Sequence, residues 1–347
     1  MDSLTQITLG AAVGEATLGA KVGKKAPLWG AALGTLPDLD VLADPFVSEV
    51  TALAIHRGFS HSLLFIVLGT PLFGFFLHRL HRRDDASRRE WSLLVLLTLA
   101  SHVLLDCLTT YGTQVFNPFS DYPVIFGTVF VIDPLYTVPL LAGLLAALTH
   151  APGSSWRRRA NYAGLALSSL YLLLTVANKL HMEGVFANAL TAQDRTVERV
   201  FTRPMPLNNV LWAAIAEDST GFWVGYHSLL DGERHVDFDR VPKNHHLLRD
   251  AWDTPAVKRL RWFSRGYFSV SEQDGQLYVH DLRFGRSDLG LDAGPSSYVF
   301  TFELERGRNG QVTGFHRHDP AFDVDAETLR RYVARVAGTS APVTTHR

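Results

Sequence analysis

The chain has 347 residues, 47% of them hydrophobic, and its 33 Lys and Arg nearly balance 34 Asp and Glu, for a formal net charge of -1. Those averages fit an ordinary globular protein and by themselves select no class. The single cysteine, Cys107, excludes an internal disulfide, and its place in an apolar run gives it the part of a buried structural thiol.

Read along the chain, two unlike halves emerge. Met1-Asp2-Ser3 has no basic region ahead of the apolar stretch that follows, which argues against a cleaved signal peptide. Leu4 to Ala20 and Pro27 to Leu36 are rich in Gly and Ala and broken only by Glu15 and the adjoining charges. Small residues let helix backbones approach closely, so these segments are expected to be short, tilted or partly re-entrant helices packed among others, with Glu15 as a buried hydrogen-bonding partner. No charged side chain interrupts the windows His61 to His78, Glu90 to Asp106, Asp133 to His150 and Arg159 to Lys179, apart from their ends. Each is long enough for a membrane helix of ~17 to 25 residues when polar ends reach the interface.

The resulting expectation is an α-helical polytopic bundle of about 4–6 membrane segments over residues 1–180. Short cytoplasmic loops collect Lys and Arg. With six segments, Lys21, Lys24 and Lys25, then Arg79, Arg82, Arg83, Arg88 and Arg89, then Arg157, Arg158 and Arg159 all fall on one side. The opposite ends carry Asp2, Asp38 and Asp40, His56 and His61, His102 and Asp106, and Asp133. Ligand identity played no part in the orientation, yet every candidate ligand lands on one face.

Beyond Lys179 come strand-like runs, Gly221 to Tyr226, Gln276 to His280 and Ser297 to Leu304, separated by Gly- and Asp-containing turns. Thr254 and Pro255 open a helix expected to run to Phe263, and another is expected from Ala326 to Val336. Residues 181–347 therefore read as a soluble α+β domain, extracytoplasmic (periplasmic) by the same topology count. Its basic residues alternate with acids, which argues against a nucleic-acid surface. The eight histidines from His227 onward are scattered and read as structural or solvated.

Ionisable groups at membrane depth are costly, so several brought together need a shared reason, and a metal ion supplies one. His102 and Asp106 lie four positions apart on one helix face, where both can reach one ion or Asp106 can orient the imidazole. A hydrogen-bonded pair joining two helices is the plainer alternative. His56 and His61 flank Gly58 at the mouth of an apolar run and suit zinc, with Ser60 or Ser62 capping the helix while holding a ring. Alternatively they are headgroup anchors together with Arg57. Asp38 and Asp40 can bridge two ions, or one can bind while the other acts as general base; a turn with helix caps is the other reading. Asp133 precedes Pro134 and is both a candidate ligand and a good N-cap. Asp2 and Gln6 carry less weight. The polar-aromatic loop from Tyr111 to Phe130 is suited to covering the site or gripping a substrate.

Met1-Asp-Ser-Leu-Thr-Gln6, Leu36-Pro-Asp-Leu-Asp40, His56-Arg-Gly-Phe-Ser-His-Ser62, His102-x-x-x-Asp106 with Thr109-Thr-Tyr-Gly112, and Ile132-Asp-Pro134 together resemble the YdjM-like family of inner-membrane, metal-dependent hydrolases. The likeness covers roughly residues 1 to 180. A more distant similarity reaches the zinc-dependent phospholipase C and P1 nuclease group, in which a His-x-x-x-Asp pair on a helix belongs to a zinc cluster. His102 and Asp106 match that pair, and the further downstream histidines and glutamate of that group have no counterpart in this chain.

The resemblance implies a bacterial inner-membrane hydrolase with one or two divalent ions, zinc by preference. His56, His61, His102, Asp106, Asp38, Asp40 and Asp133 are its candidate metal ligands, Asp38 and Asp40 its candidate catalytic carboxylates, and a membrane lipid or lipid-linked molecule its substrate. The rival from another class is a non-catalytic scaffold or permease with a structural metal. A permease needs polar groups across the bilayer, whereas here they cluster on one side.

Overall fold

A computed structural model of the chain describes residues 1–232, 235–290, 298–308, 310–318 and 325–339. It divides into two compact units, one made of Met1–Ala43, Ile55–Ala177 and Pro206–Asn208, the other of Asp44–Ala54, Asn178–Met205 and Asn209–Arg347.

The first unit opens with helices α1 (Ser3–Val22) and α2 (Lys25–Thr35). Asp2 caps α1 by accepting from the Thr5 amide at 3.0 Å, and Gly23, at φ 62°, ends it. The Gly and Ala content has a direct cause. A Cβ on Gly10 would stand 2.2 Å from the Gly30 carbonyl oxygen, and one on Gly30 2.1 Å from that of Gly10, so the two backbones touch. A 3-10 helix at Pro37–Phe46 and the short α3 (Glu49–Ile55), of which the stretch Asp44–Ala54 counts with the second unit, are followed in the first by a 3-10 turn at Phe59–His61 and α4 (Leu63–Leu80). Ser62 caps α4 through the Phe65 amide. A Ser87/Glu90 capping box opens α5 (Arg88–Leu108), and Asp133 with Pro134 opens α6 (Pro134–Leu148). The 38-residue α7 (Ser155–Ala192) follows.

Among the described residues three helices, α4, α5 and α7, are long and apolar enough to cross a membrane, and α6 is a shorter apolar helix. The four uncharged windows thus each form a helix. Trp91, Leu94, Val95 and Leu99 of α5 are fully buried against residues of α1, α2 and α4 such as Leu18, Leu33 and Ile66. Leu9, Leu105, Tyr136 and Leu140 form a second cluster. Toward the basic loops, Lys21 pairs with Glu90 at 2.8 Å and Lys25 with Asp84 at 2.7 Å. Glu15 is buried, as its depth in α1 implied, and takes a bidentate pair of hydrogen bonds from Arg157 at 2.6 and 2.7 Å.

The second unit holds two four-stranded antiparallel sheets. The first is β1 (Arg199–Pro204), β2 (Leu211–Glu217), β3 (Gly221–Ser228) and β4 (Phe238–Pro242); the second is β5 (Phe268–Gln273), β6 (Gln276–Arg286), β7 (Tyr298–Arg306) and β8 (Val312–His318). Neighbouring strands pair in sequence order, with Ile215 opposite Val224 and Val279 opposite Phe302. Helix α8 (Pro255–Phe263), capped by Thr254, and α9 (Ala326–Val336), capped by Asp325, have the bounds read from the sequence. The three strand runs read there fall in β3, β6 and β7; Ser297 lies outside the described residues. Met182 and Phe186 of α7 pack with Trp212 and Ala214 of β2.

Candidate metal centre

Four ligand-type side chains converge at the end of the helical unit away from the basic loops: Asp38, His61, His102 and Asp106, the last three buried. Asp38 comes from the 3-10 helix after α2, His61 from the turn before α4, and His102 and Asp106 from adjacent turns of α5. His61 Nε2 lies 3.1 Å from His102 Nε2, 3.3 Å from Asp38 Oδ1 and 3.3 Å from Asp106 Oδ2. His102 Nε2 lies 3.7 Å from both carboxylates. Four donors held ~2.0–2.1 Å from a tetrahedral zinc stand about 3.3–3.4 Å apart, so these separations are close to the edges of such a tetrahedron.

The surrounding hydrogen bonds select the tautomers a metal requires. His102 Nδ1 is 2.7 Å from the Gly34 carbonyl oxygen, an acceptor only, so that nitrogen carries the proton and Nε2 faces the cluster with its lone pair. His61 Nδ1 is 3.0 Å from Ser60 Oγ, whose hydroxyl donates to Asp40 Oδ2 at 3.3 Å. With the Nδ1 proton donated to Ser60 Oγ, His61 Nε2 also faces the cluster with its lone pair.

Two observations test whether these residues fit a cation. Asp106 is fully buried and its Oδ2, facing the cluster, makes no well-aligned hydrogen bond, its neighbours being the Arg57 Nε and His61 Nε2 at 3.3 Å. A buried carboxylate oxygen whose neighbours are poorly aligned is under-satisfied, and a cation among the four donors would complete its partners. The donor set itself, two imidazoles and two carboxylates, suits zinc or another first-row divalent ion. The residues fit.

The other oxygen of Asp106 is held by Gln6 Nε2 at 2.9 Å and by the Met1 amino group. Arg57 is buried, with its Nε 3.3 Å from Asp106 Oδ2, its Nη1 donating to Thr109 Oγ1 at 3.1 Å, and its guanidinium over the Tyr111 ring. It sits at φ 53°, a left-handed conformation in which a non-glycine residue is unusual.

His56 and Asp40 stand one layer behind the four. Asp40 Oδ1 is 3.0 Å from His56 Nδ1, and Oδ2 accepts from the Arg57 amide at 2.7 Å. Burial opposes ionisation of Asp40, but the hydrogen bonds from His56 and Arg57 outweigh it and hold the carboxyl below its usual range. Asp133 is outside the group. It accepts from the Leu135 amide and from the Tyr171 hydroxyl at 2.8 Å, which is its N-cap role. Asp2 caps α1, while Gln6 does reach the site. The sequence reading did not assign the parts played by Arg57, the Gly34 carbonyl and Thr109. Arg57, set between two histidines, and Thr109, within the Thr109-Thr-Tyr-Gly112 motif, left traces in the sequence; the Gly34 carbonyl left none.

Apolar helices enclosing a buried His/Asp cluster define a membrane protein with a candidate metal centre. Residues 1–182 match the family described as YdjM inner membrane protein, and the chain belongs to that family. It is similar to the uncharacterized protein YfhP of Bacillus subtilis (strain 168), 30% identical over 181 residues, which is 50% of this chain and 51% of that protein. It is also similar to the inner membrane protein YbcI of Escherichia coli (strain K12), 41% identical over 86 residues, 25% of this chain and 48% of that one. The chain spans about half the length of the curated relatives it matches. No solved structure matches it.

Proposed function

We propose that the chain is a zinc-dependent hydrolase of the inner membrane, with its site at the outer-leaflet interface and an amphiphile as substrate. The observation that carries this reading is the convergence of ligand atoms from Asp38, His61, His102 and Asp106, all within 4.8 Å of one another, with three of the four side chains buried. When bound there, a divalent ion supplies Lewis acidity and brings the pKa of water toward ~7. The protein's own groups do the rest. Gly34 and Ser60 fix the two imidazoles, and Gln6 fixes Asp106. Asp38 has the most exposed side chain of the four, at 20%, and so marks the side from which a substrate reaches the cluster. The Asp40–His56 pair is the nearest carboxylate–imidazole couple outside the four and is placed to take up a proton.

Six membrane segments with the basic loops inside put the cluster and the β-rich unit on the extracytoplasmic side. A lipid phosphoester is the preferred substrate, supported by the likeness of His102 and Asp106 to the phospholipase C pair; an ester or amide of a lipid-linked molecule uses the same chemistry.

One observation favours a second reading. Four protein donors that close a tetrahedron are the pattern of a structural site, in which the metal would tie α5 to the segments bearing Asp38 and His61. Purified protein in lipid vesicles, assayed for metal and for hydrolysis of phosphoester, ester and amide lipids, separates the two. The hydrolase reading expects metal-dependent turnover that His102→Ala abolishes while insertion stays normal. Bound metal without turnover on any of the three classes establishes the scaffold, and full activity in His102→Ala removes the site assignment.

A further inference from the structure

The segment from Tyr111 to Phe130 has one charged residue, Asp121, against six aromatic ones, yet it forms no helix and is linked by only one isolated β-bridge, Thr113 to Val124. Phe119 is 84% exposed, and Phe116 and Phe126 are about half exposed. Phe59 beside it and Leu39 and Leu42 of the 3-10 helix are exposed too. Scattered surface apolar residues need no explanation, but several exposed aromatic side chains on one loop do.

The loop's attachments fix its place. Its Val115 carbonyl accepts from the Leu63 amide at 2.9 Å, at the first residue of α4. Its Gln114 amide donates to the Arg57 carbonyl, and the Phe126 and Thr128 amides donate to the Cys107 and Leu108 carbonyls at the end of α5. The Tyr111 ring lies edge-on to His56, 5.1 Å between centroids. The aromatic loop is therefore the rim of the metal cluster and also the continuation of α4, whose Val67, Leu68, Leu72 and Phe76 are more than half exposed in a helix long enough to cross the bilayer. At 1.5 Å per residue its 18 residues cover about 27 Å, close to the ~30 Å hydrocarbon core. A loop fastened to its end lies at headgroup depth, where aromatic side chains collect.

We propose that this loop is a lipid-docking rim: the side chains of Phe116, Phe119 and Phe126, with Phe59 and Leu42, sink into the outer-leaflet interface. The cluster then receives its ligand laterally from the leaflet and not from bulk water. The occupant is the lipid surface, because the loop is fastened to the first residue of α4, whose exposed Val67, Leu68, Leu72 and Phe76 are apolar, and carries Asp121 as its one charge. The inference rests on the interfacial placement proposed above but not on hydrolysis.

The test is nitroxide labelling of the full chain in phospholipid nanodiscs, with Cys107 buried and wild type as the blank. Labels go on Phe119→Cys, on Leu68→Cys of α4 as the lipid reference, and on Asp237→Cys as the water reference. Power-saturation EPR compares collision with oxygen, which concentrates in lipid, and with a polar nickel chelate. Phe119 is expected to favour oxygen, resembling Leu68 but at shallower depth. An oxygen-to-nickel ratio equal to that of Asp237 would overturn the rim. Zinc content of the same samples keeps the questions apart: a water-exposed Phe119 label on zinc-loaded protein sinks the docking surface alone, while a zinc-free wild type sinks the hydrolase and leaves the label depth still decisive.

Discussion

At the scale of single residues, the two shells around the candidate centre have different expected costs. Asp106→Asn keeps the size of the side chain but weakens a ligand that nothing else can replace, so zinc is expected to be lost on dialysis. Asp40→Asn acts through its neighbours Ser60, His56 and Arg57, and changes to such outer partners commonly cost ~10–100-fold in metal affinity. Competition with a chromogenic chelator measures both; equal retention in the two variants would contradict the layering. The sequence carried part of this order. His102 and Asp106 four apart on an apolar helix identified themselves, because that spacing puts them on one face. Which of Asp38 and Asp40 joins them, and whether His56 or His61, depended on the 3-10 geometry of Pro37–Phe46 and Phe59–His61. No periodicity rule reads a 3-10 turn. Asp133 was legible equally as ligand and as cap, and only its hydrogen bonds to Leu135 and Tyr171 distinguish the two.

At the scale of elements, α1 and α2 hold together by backbone contact at Gly10, Gly14, Gly30 and Gly34. Gly30→Leu drives a side chain into the Gly10 carbonyl, and overpacking of this sort costs about 1–3 kcal/mol even where neighbours can adjust. Thermal unfolding in detergent should show a clear loss relative to Gly184→Leu, whose site has open space; matching melting temperatures would deny the close approach. In the β-rich unit, Asp218 in the β2–β3 turn accepts from Arg240, from the Thr220 hydroxyl and from the Thr220 and Gly221 amides. The Arg240 guanidinium, first among these, holds the Asp218 carboxyl well below the usual carboxylate range. A depressed folded pKa contributes stability that is present above the unfolded value of ~3.9 and is lost as pH falls toward the folded one. Wild type should thus lose more stability between about pH 5 and 3 than Asp218→Asn does, by circular dichroism melts. Parallel acid profiles would contradict that account.

The same element scale shows why some strands were hidden in the sequence. β3 and β6 alternate or carry aromatic runs bounded by turn residues, which is the ordinary signal. β2, read Leu-Trp-Ala-Ala-Ile-Ala-Glu, is buried along its whole length, and a short continuous apolar run cannot be told from a helix by period alone. Helices α8 and α9 were legible to the residue because Thr254-Pro255 and Asp325 are explicit start signals.

For the whole molecule, composition concealed the essential division, since a net charge near zero averages an apolar helical unit with a polar β-rich one. The uncharged windows recovered the helices, and the length of α6 explains why it stands apart from α4, α5 and α7 as a candidate span. If the proposed topology is right, protease added to spheroplasts degrades an epitope placed in the β-rich unit without lysis; protection until lysis would reverse the orientation. Metal also links to global stability. An ion held at 100 times its dissociation constant stabilises the folded state by about 2.7 kcal/mol, so stripping it should lower the melting temperature, and zinc should restore it.

The most direct test of the central claim, that Asp38, His61, His102 and Asp106 form one metal site, is the metal content of detergent-purified protein by elemental analysis, for wild type and a His61→Ala/His102→Ala variant. The account predicts about one zinc or related divalent ion per chain in wild type and none in the variant. Wild type without metal after purification free of chelators, or a variant that keeps the full complement, would contradict it.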